Sequence, residues 1–152
     1  MGCNQDIKID VVDLSGGTLS LPKYAKVGDA GMDVMAYIDS SIFIAPGKSL
    51  CIPTGIKVAI PKGFEIQVRP RSGLAFKQGI TVLNSPGTID SGYRNEIGVI
   101  LINHGTEDFQ VEPQGRIAQI VLNKVPNIVW NQVDELDDNT VRGQGGFGST
   151  GC

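Results

Sequence analysis

Twenty glycines and eight prolines are spread along this chain of 152 residues, and that spacing is too tight for long helices. The intervals between them hold short apolar runs rich in Val and Ile, the side chains that fit a pleated, half-buried surface. An all-β domain follows. Ile7, Ile9 and Val11 alternate with polar neighbours as a first strand, and further strands are predicted over residues 34–38, 42–44, 49–52, 56–60, 64–68, 80–83, 97–102, 109–111 and 117–122. Ala45-Pro46-Gly47, Pro61-Lys62-Gly63 and Asn103-His104-Gly105 carry turn chemistry between them. Turns this frequent suit a sandwich, jelly roll or barrel. Only residues 74–78 read as a helical turn or two.

The length is that of one domain able to bury most of its apolar surface without staples. From Val125 the strand pattern weakens, and Asp134-Glu135-Leu136-Asp137-Asp138-Asn139 reads as a solvated acidic connector. Residues 1–133 are therefore expected to form the β domain, with residues 134–152 as connector and tail. The tail, Arg142-Gly143-Gln144-Gly145-Gly146-Phe147-Gly148-Ser149-Thr150-Gly151-Cys152, loses too much backbone entropy on ordering to hold a structure unaided. Its amides, Arg142, the two hydroxyls and Phe147 suit the phosphates and base of a nucleotide. A plain Gly/Ser linker is the alternative, with little use for one Arg and one Phe.

Net charge is −3 and the 13 basic residues form no run, so polymeric nucleic acid is not an expected partner. A small anion remains open to a few convergent arginines. Cys3, Cys51 and Cys152 are odd in number and lack CxxC spacing, which fits a reducing, intracellular and hence cytoplasmic setting. No run approaches the roughly 18 apolar residues of a membrane span. Asp6 stands where a myristoylation motif wants Ser or Thr, and a terminal Cys152 is no prenylation box. A soluble protein is expected, with no membrane partner.

Several segments could carry chemistry. Pro46-Gly47-Lys48-Ser49 looks like the end of a phosphate-binding P-loop, but Ile42 replaces the first glycine and no helix pattern follows, so it is read as a hairpin turn. Pro70-Arg71-Ser72-Gly73 offers a guanidinium, a hydroxyl and amides at a helix start; an ordinary cap by Ser72 is an equal alternative. The stretch from Asn84 to Tyr93 is a long polar hairpin between two apolar strands, and such loops tend to be functional. Its Asp90 could orient and deprotonate a water beside a phosphate, although Asp-Ser-Gly is also a common turn. Asp33 in Ala30-Gly31-Met32-Asp33, expected at the start of a strand, could hold waters of a hard cation such as Mg²⁺ or be a plain turn residue. Arg116 and Gln119 would face opposite ways in a regular strand, so a shared site requires a bulge between them. His104 reads as a turn residue.

Together Ala30-Gly31-Met32-Asp33, Pro70-Arg71-Ser72-Gly73-Leu74-Ala75, Gly87-Thr88-Ile89-Asp90-Ser91-Gly92-Tyr93-Arg94, Gly115-Arg116-Ile117-Ala118-Gln119 and the Arg142 to Ser149 stretch resemble the five ordered motifs of the trimeric deoxyuridine triphosphatases. The resemblance implies hydrolysis of dUTP to dUMP and pyrophosphate, which limits uracil in DNA and supplies dUMP for thymidylate synthesis. It implies a distorted jelly-roll or barrel subunit of the β-clip kind, closing as a homotrimer whose sites draw on all three chains. Asp90 matches the carboxylate that activates the attacking water. Arg71, Ser72, Gly73 and Gln119 match triphosphate contacts, and Asp33 matches the carboxylate holding metal-bound waters, with Mg²⁺ otherwise carried by the triphosphate. Asn84, Gly87, Thr88, Ile89 and Gly98 match the deoxyuridine pocket, where Tyr93 rejects a ribose 2′-hydroxyl. Arg142, Phe147, Gly148 and Ser149 match a lid lent by a neighbouring chain. Asn95 departs from the Gly that many members carry there. The competing expectations are a dCTP deaminase-like enzyme, with Glu96 as proton shuttle, and a nucleotide-gated protein-interaction module.

Overall fold

The computed structural model describes residues 6–137 and 139–146. In chain order these hold strands β1 (Asp10–Asp13), β2 (Gly31–Met35), β3 (Ile42–Ile44), β4 (Ser49–Pro53), β5 (Ile56–Ala59) and β6 (Phe64–Arg69), then helix α1 (Ser72–Gln78), then β7 (Ile80–Val82), β8 (Gly87–Ile89), β9 (Gly98–Asn103), β10 (Phe109–Val111) and β11 (Arg116–Lys124). The all-β reading holds. Every strand pair among the described residues is antiparallel, arranged as sheets β1-β5, β3-β10, β4-β9-β7 and β2-β11-β6-β8. Sequential strands mostly fall in different sheets, so the chain crosses and recrosses the core in the manner of a jelly roll.

Alternation explains much of the core. Ile66 and Val68 of β6 and Ile56 and Val58 of β5 point inward between more exposed neighbours, Val99 and Leu101 of β9 alternate with half-buried Ile100 and Ile102, and β11 buries Ile120 and Val121 together. Asn103 is a polar residue within this core, completely buried. Its amide donates to the carbonyls of Ile44 and Glu107, both at 2.8 Å, and its Oδ1 accepts from the Gly105 N–H at 2.8 Å. A satisfied polar group of this kind ties β3 to β9 without a desolvation penalty.

Several sequence expectations need correction. The first strand begins at Asp10, and Val11 and Val12, which point to opposite faces, both stand exposed in a strand whose sole ladder partner among the described residues is β5. β2 opens at Gly31 and ends at Met35, which puts Asp33 in mid-strand. Residues 36–38 leave the sheet: the Ala36 N–H bonds to Gly115 O and the Tyr37 N–H to Pro53 O. Pro46-Gly47-Lys48-Ser49 is a turn, closed by the Lys48 N–H on Ala45 O at 3.0 Å, but not a hairpin, since β3 and β4 belong to different sheets. Gly87–Ile89 within the polar stretch is a strand, β8, ladder-bonded to β6.

Helix α1 confirms the short helical segment and extends it back to Ser72. It stops at Gly79, which adopts φ 67°. A Cβ there would lie 2.7 Å from the Gly105 nitrogen, so both conformation and space demand glycine. Among the described residues no helix is long and apolar enough to cross a membrane.

Candidate active site

The four-stranded sheet builds one corner of the site. Gln119 of β11 is register-paired with Asp33 of β2 on one side and with Arg69 of β6 on the other. Two residues past Arg69 the chain reaches Arg71, the N-cap position of α1. The Arg71 guanidinium donates from Nε to Asp33 Oδ1 at 3.1 Å and from Nη1 to the Arg116 carbonyl at 3.2 Å. Arg116 reaches the other carboxylate oxygen of Asp33 at 3.8 Å. The Gln119 amide donates to the Pro70 carbonyl at 3.0 Å and so holds the bend between β6 and α1.

A bulge makes this convergence possible. The β11–β2 register shifts between Arg116 and Ala118, and Ile117 and Ala118 are both buried. Arg116 and Gln119 therefore share the outer face although three residues separate them. Gly31 completes the arrangement, because a Cβ at that position would lie 2.3 Å from Gln119 Oε1. The corner carries two guanidiniums against one carboxylate and opens on a concavity of about 580 Å³ lined also by Lys23 and Asp29. Ser72 lies inside the first turn and makes no capping bond; α1 has no side-chain cap and no acidic residue in that turn. The ordinary-cap alternative for this segment is thereby set aside, and the hydroxyl of Ser72 and the backbone of Gly73, both exposed, are left facing solvent beside Arg71. This is anion-receiving chemistry.

The second group of residues stands elsewhere. In β8, Gly87 and Ile89 face the core and Thr88 faces out. Gly87 sits tight on Val68, and a Cβ added to it would come within 3.4 Å of the Asn84 side-chain nitrogen. Asp90 follows, exposed, and among the described residues nothing pairs with its carboxylate. Its carbonyl accepts the Tyr93 N–H at 3.0 Å. The Tyr93 hydroxyl donates to the Glu96 carbonyl at 2.8 Å, and Arg94 donates to the Ser91 and Tyr93 carbonyls at 2.7 and 2.8 Å. Gly98 pairs with Pro53, and a Cβ there would meet the Cys51 sulphur at 2.7 Å.

Ser85 and Pro86 share a hollow with Pro70 and Gln119, but Asp90 does not meet Arg71 within one chain. Ile89 is register-paired with Ile66, five positions short of Arg71, and β8 runs away from it. At about 3.3 Å per strand residue, Asp90 and Arg71 lie on the order of 15 Å or more apart. Arg142 is exposed and donates to its own Gly145 carbonyl at 2.9 Å. Phe147, Gly148 and Ser149 lie outside the described residues.

Metal binding has one structural foothold. No cluster of three His, Cys, Asp or Glu side chains occurs among the described residues. Asp33, partly exposed beside two arginines, fits a cation held chiefly by substrate phosphates, the usual manner for Mg²⁺. His104 is an exposed turn residue whose N–H bonds to Gly79 O.

Sequence reasoning assigned no role to Gly31, and assigned Glu96 one only as the proton shuttle of the competing deaminase expectation. Gly31 stood inside a motif that it had quoted, but the need for glycine came from a residue 88 positions away. Glu96 accepts the Gly55 N–H at 2.7 Å, a bond no local pattern announces.

The family model described as dUTPase matches residues 18–151. The chain is 54% identical over 147 residues to the deoxyuridine 5′-triphosphate nucleotidohydrolase of Wolbachia pipientis, covering 95% of this chain and 96% of that one. It is 52% identical to the enzyme of that name from Ehrlichia canis, covering 97% of both, and 57% identical to that of Chlamydia pneumoniae, covering 91% and 94%. Among solved structures, the dUTPase of Staphylococcus bacteriophage 80alpha with dUPNHPP superposes with a TM-score of 0.82 at 24% identity, covering 95% of this chain and 99% of the phage protein. The D95N dUTPase of phage phi11, described as coordinating a structural Mg(II) ion, gives 0.74 at 21%, covering 86% and 99%.

Proposed function

This chain belongs to the dUTPase family, and on that premise we infer that it hydrolyses dUTP to dUMP and pyrophosphate. The observation that carries the reading is the corner of Asp33, Arg71, Arg116 and Gln119, an anion receptor built from three sequence-distant segments. Its excess positive charge suits a triphosphate, and Arg71 is free to turn one edge of its fork to phosphate oxygens while the other holds Asp33.

In the proposed reaction Asp90 takes a proton from a water as the water oxygen bonds to the α-phosphorus. The bond from that phosphorus to the bridging oxygen breaks, and pyrophosphate leaves. Arg71, Ser72, Gly73 and Gln119 hold the phosphate oxygens and resist the charge that builds on them. Asn84, Gly87, Thr88, Ile89, Tyr93 and Gly98 belong to the deoxyuridine side, and Arg142, Phe147, Gly148 and Ser149 to a closing tail. Mg²⁺, when bound, would neutralise the phosphates and stiffen their geometry; Asp33 would contact it through water.

The separation of Asp90 from Arg71 supports a trimer whose sites combine different chains, since neither group of residues is complete alone. Three cysteines without a framework, one of them the exposed free thiol of Cys51, support an intracellular setting. The deaminase alternative is not favoured: the family model and the relatives matched over nearly the whole chain are dUTP nucleotidohydrolases.

Purified protein with Mg²⁺ should release dUMP and pyrophosphate from dUTP while leaving dTTP, dCTP and UTP nearly untouched. Asp90→Asn should still bind a non-hydrolysable dUTP analogue yet turn over about 10² to 10⁴-fold more slowly, the range of a lost general base. Near-normal turnover by that variant would remove Asp90 from the chemistry. Tight binding without turnover by the unaltered protein would favour the interaction-module reading.

A further inference from the structure

The segment after Tyr93 is pinned to the turn between β4 and β5 with unusual thoroughness. The Glu96 carboxylate accepts the Gly55 N–H at 2.7 Å. The Thr54 hydroxyl donates to Ile97 O at 2.6 Å, and the Ile97 N–H donates to Ile56 O at 2.9 Å. Thr54 is 3% exposed and Ile97 is fully buried, so this anchorage lies on the dry side of the chain. Its outward product is one fixed acceptor, the carbonyl of Glu96, which takes the Tyr93 hydroxyl at 2.8 Å.

We propose that Glu96 is a positioning residue for Tyr93 and thereby sets the preference for deoxyribose over ribose. The proposal rests on the reading of Tyr93 as the wall that a 2′-hydroxyl would strike. A ring at the surface, with its phenol partly exposed, has two χ angles free to move. The bond to Glu96 O removes that freedom, and a wall that cannot yield rejects an added hydroxyl where a mobile one makes room for it. Without its carboxylate, Glu96 leaves the buried Gly55 N–H without a partner. The 96–97 segment then keeps only its Thr54 and Ile56 bonds, and the carbonyl it presents loosens, while the phosphate corner keeps all of its own bonds.

The test is kcat/KM for dUTP and for UTP in four variants, with thermal melting to confirm folding. In Glu96→Ala the dUTP-to-UTP ratio should fall about tenfold, the scale of a sub-ångström to ångström misplacement, and UTP turnover should rise in absolute value. A general loosening of the fold would lower both activities together. Glu96→Gln keeps the acceptor oxygen and should restore the ratio; a ratio as low as that of Glu96→Ala overturns the proposal. Should Glu96→Ala not fold, Tyr93→Phe carries the test, since it deletes only the hydroxyl that Glu96 O accepts; an unchanged ratio there overturns it. Tyr93→Ala separates the two layers of the argument. If it leaves the ratio unchanged, the sugar-wall reading falls and this inference with it. If it abolishes selectivity while Glu96→Ala does not, only the role of Glu96 falls.

Discussion

Gly31 acts by having no side chain. A Cβ built there would lie 2.3 Å from Gln119 Oε1, too close to stand, so in Gly31→Ala the Gln119 side chain has to move and is expected to weaken its 3.0 Å bond to the Pro70 carbonyl. The expected result is a loss in kcat/KM of roughly tenfold to a hundredfold, close to that of Gln119→Ala itself. The double variant should be no worse than Gln119→Ala alone, because the clash disappears with the longer side chain. Steady-state kinetics of the four forms measure this, and losses that multiply would mean that Gly31 acts through something else. At this scale the sequence is readable by residue type and blind to contact. Arg71 and Gln119 were visible as candidate phosphate contacts and Asp33 as a candidate for metal-bound waters, while Arg116 stood in a motif with its own role left open. That Arg116 and Gln119 face the same way depends on a bulge at Ile117, and no residue there announces one. Gly31 and Gln119, like Glu96 and Gly55, meet only through tertiary packing.

Among the elements, β1 shows how little ladder a strand needs when its end is tied. Asp13 closes β1 with both carboxylate oxygens: Oδ1 accepts the Ser15 N–H at 2.8 Å and the Ser15 hydroxyl at 2.6 Å, and Oδ2 accepts the Gly17 N–H at 2.8 Å. The Ser15 hydroxyl, followed by the Ser15 and Gly17 amides, holds the Asp13 carboxyl below its ordinary value of 3.8. A group lowered in the folded state gives stability that is present above the unfolded value, near 3.8, and lost as pH falls through the folded one. Asp13→Ala should therefore melt earlier than the parent at neutral pH, and the difference should shrink once acid protonates Asp13 in the parent chain. Thermal melts across that range check it; a gap that persists in acid would assign the loss to packing. Elements with sustained apolar patterning, alternating in β6 and nearly continuous in β9 and β11, were legible to within a residue or two. β8 was not. Gly87, Thr88 and Ile89 are hemmed in by Asn-Ser-Pro on one side and Asp-Ser-Gly on the other, so local chemistry reads as loop. Pairing with β6 decides otherwise, an instance of strand formation set by the neighbour rather than by propensity.

For the whole molecule, the division of the site is the governing fact. β8 carries Asp90 away from the end of β6 where Arg71 stands, and a rigid sheet gives no means of bringing them together. The isolated chain also leaves Ile128, Val129 and Trp130 exposed at 73%, 89% and 87%, consecutive apolar side chains that a neighbouring copy would cover. Both observations point to closure between copies, and complementation tests it. Asp90→Asn and Arg71→Ala chains should each be nearly inactive alone. Unfolded together and refolded in equal amounts, they assort at random, and a site taking Asp90 from one subunit and Arg71 from the next is intact in about a quarter of cases. Activity should therefore return to about a quarter of that of the parent protein, in fractions that elute as trimers. If each chain closed its own site, every site would lack one of the two groups, and the mixture would stay as inactive as its components.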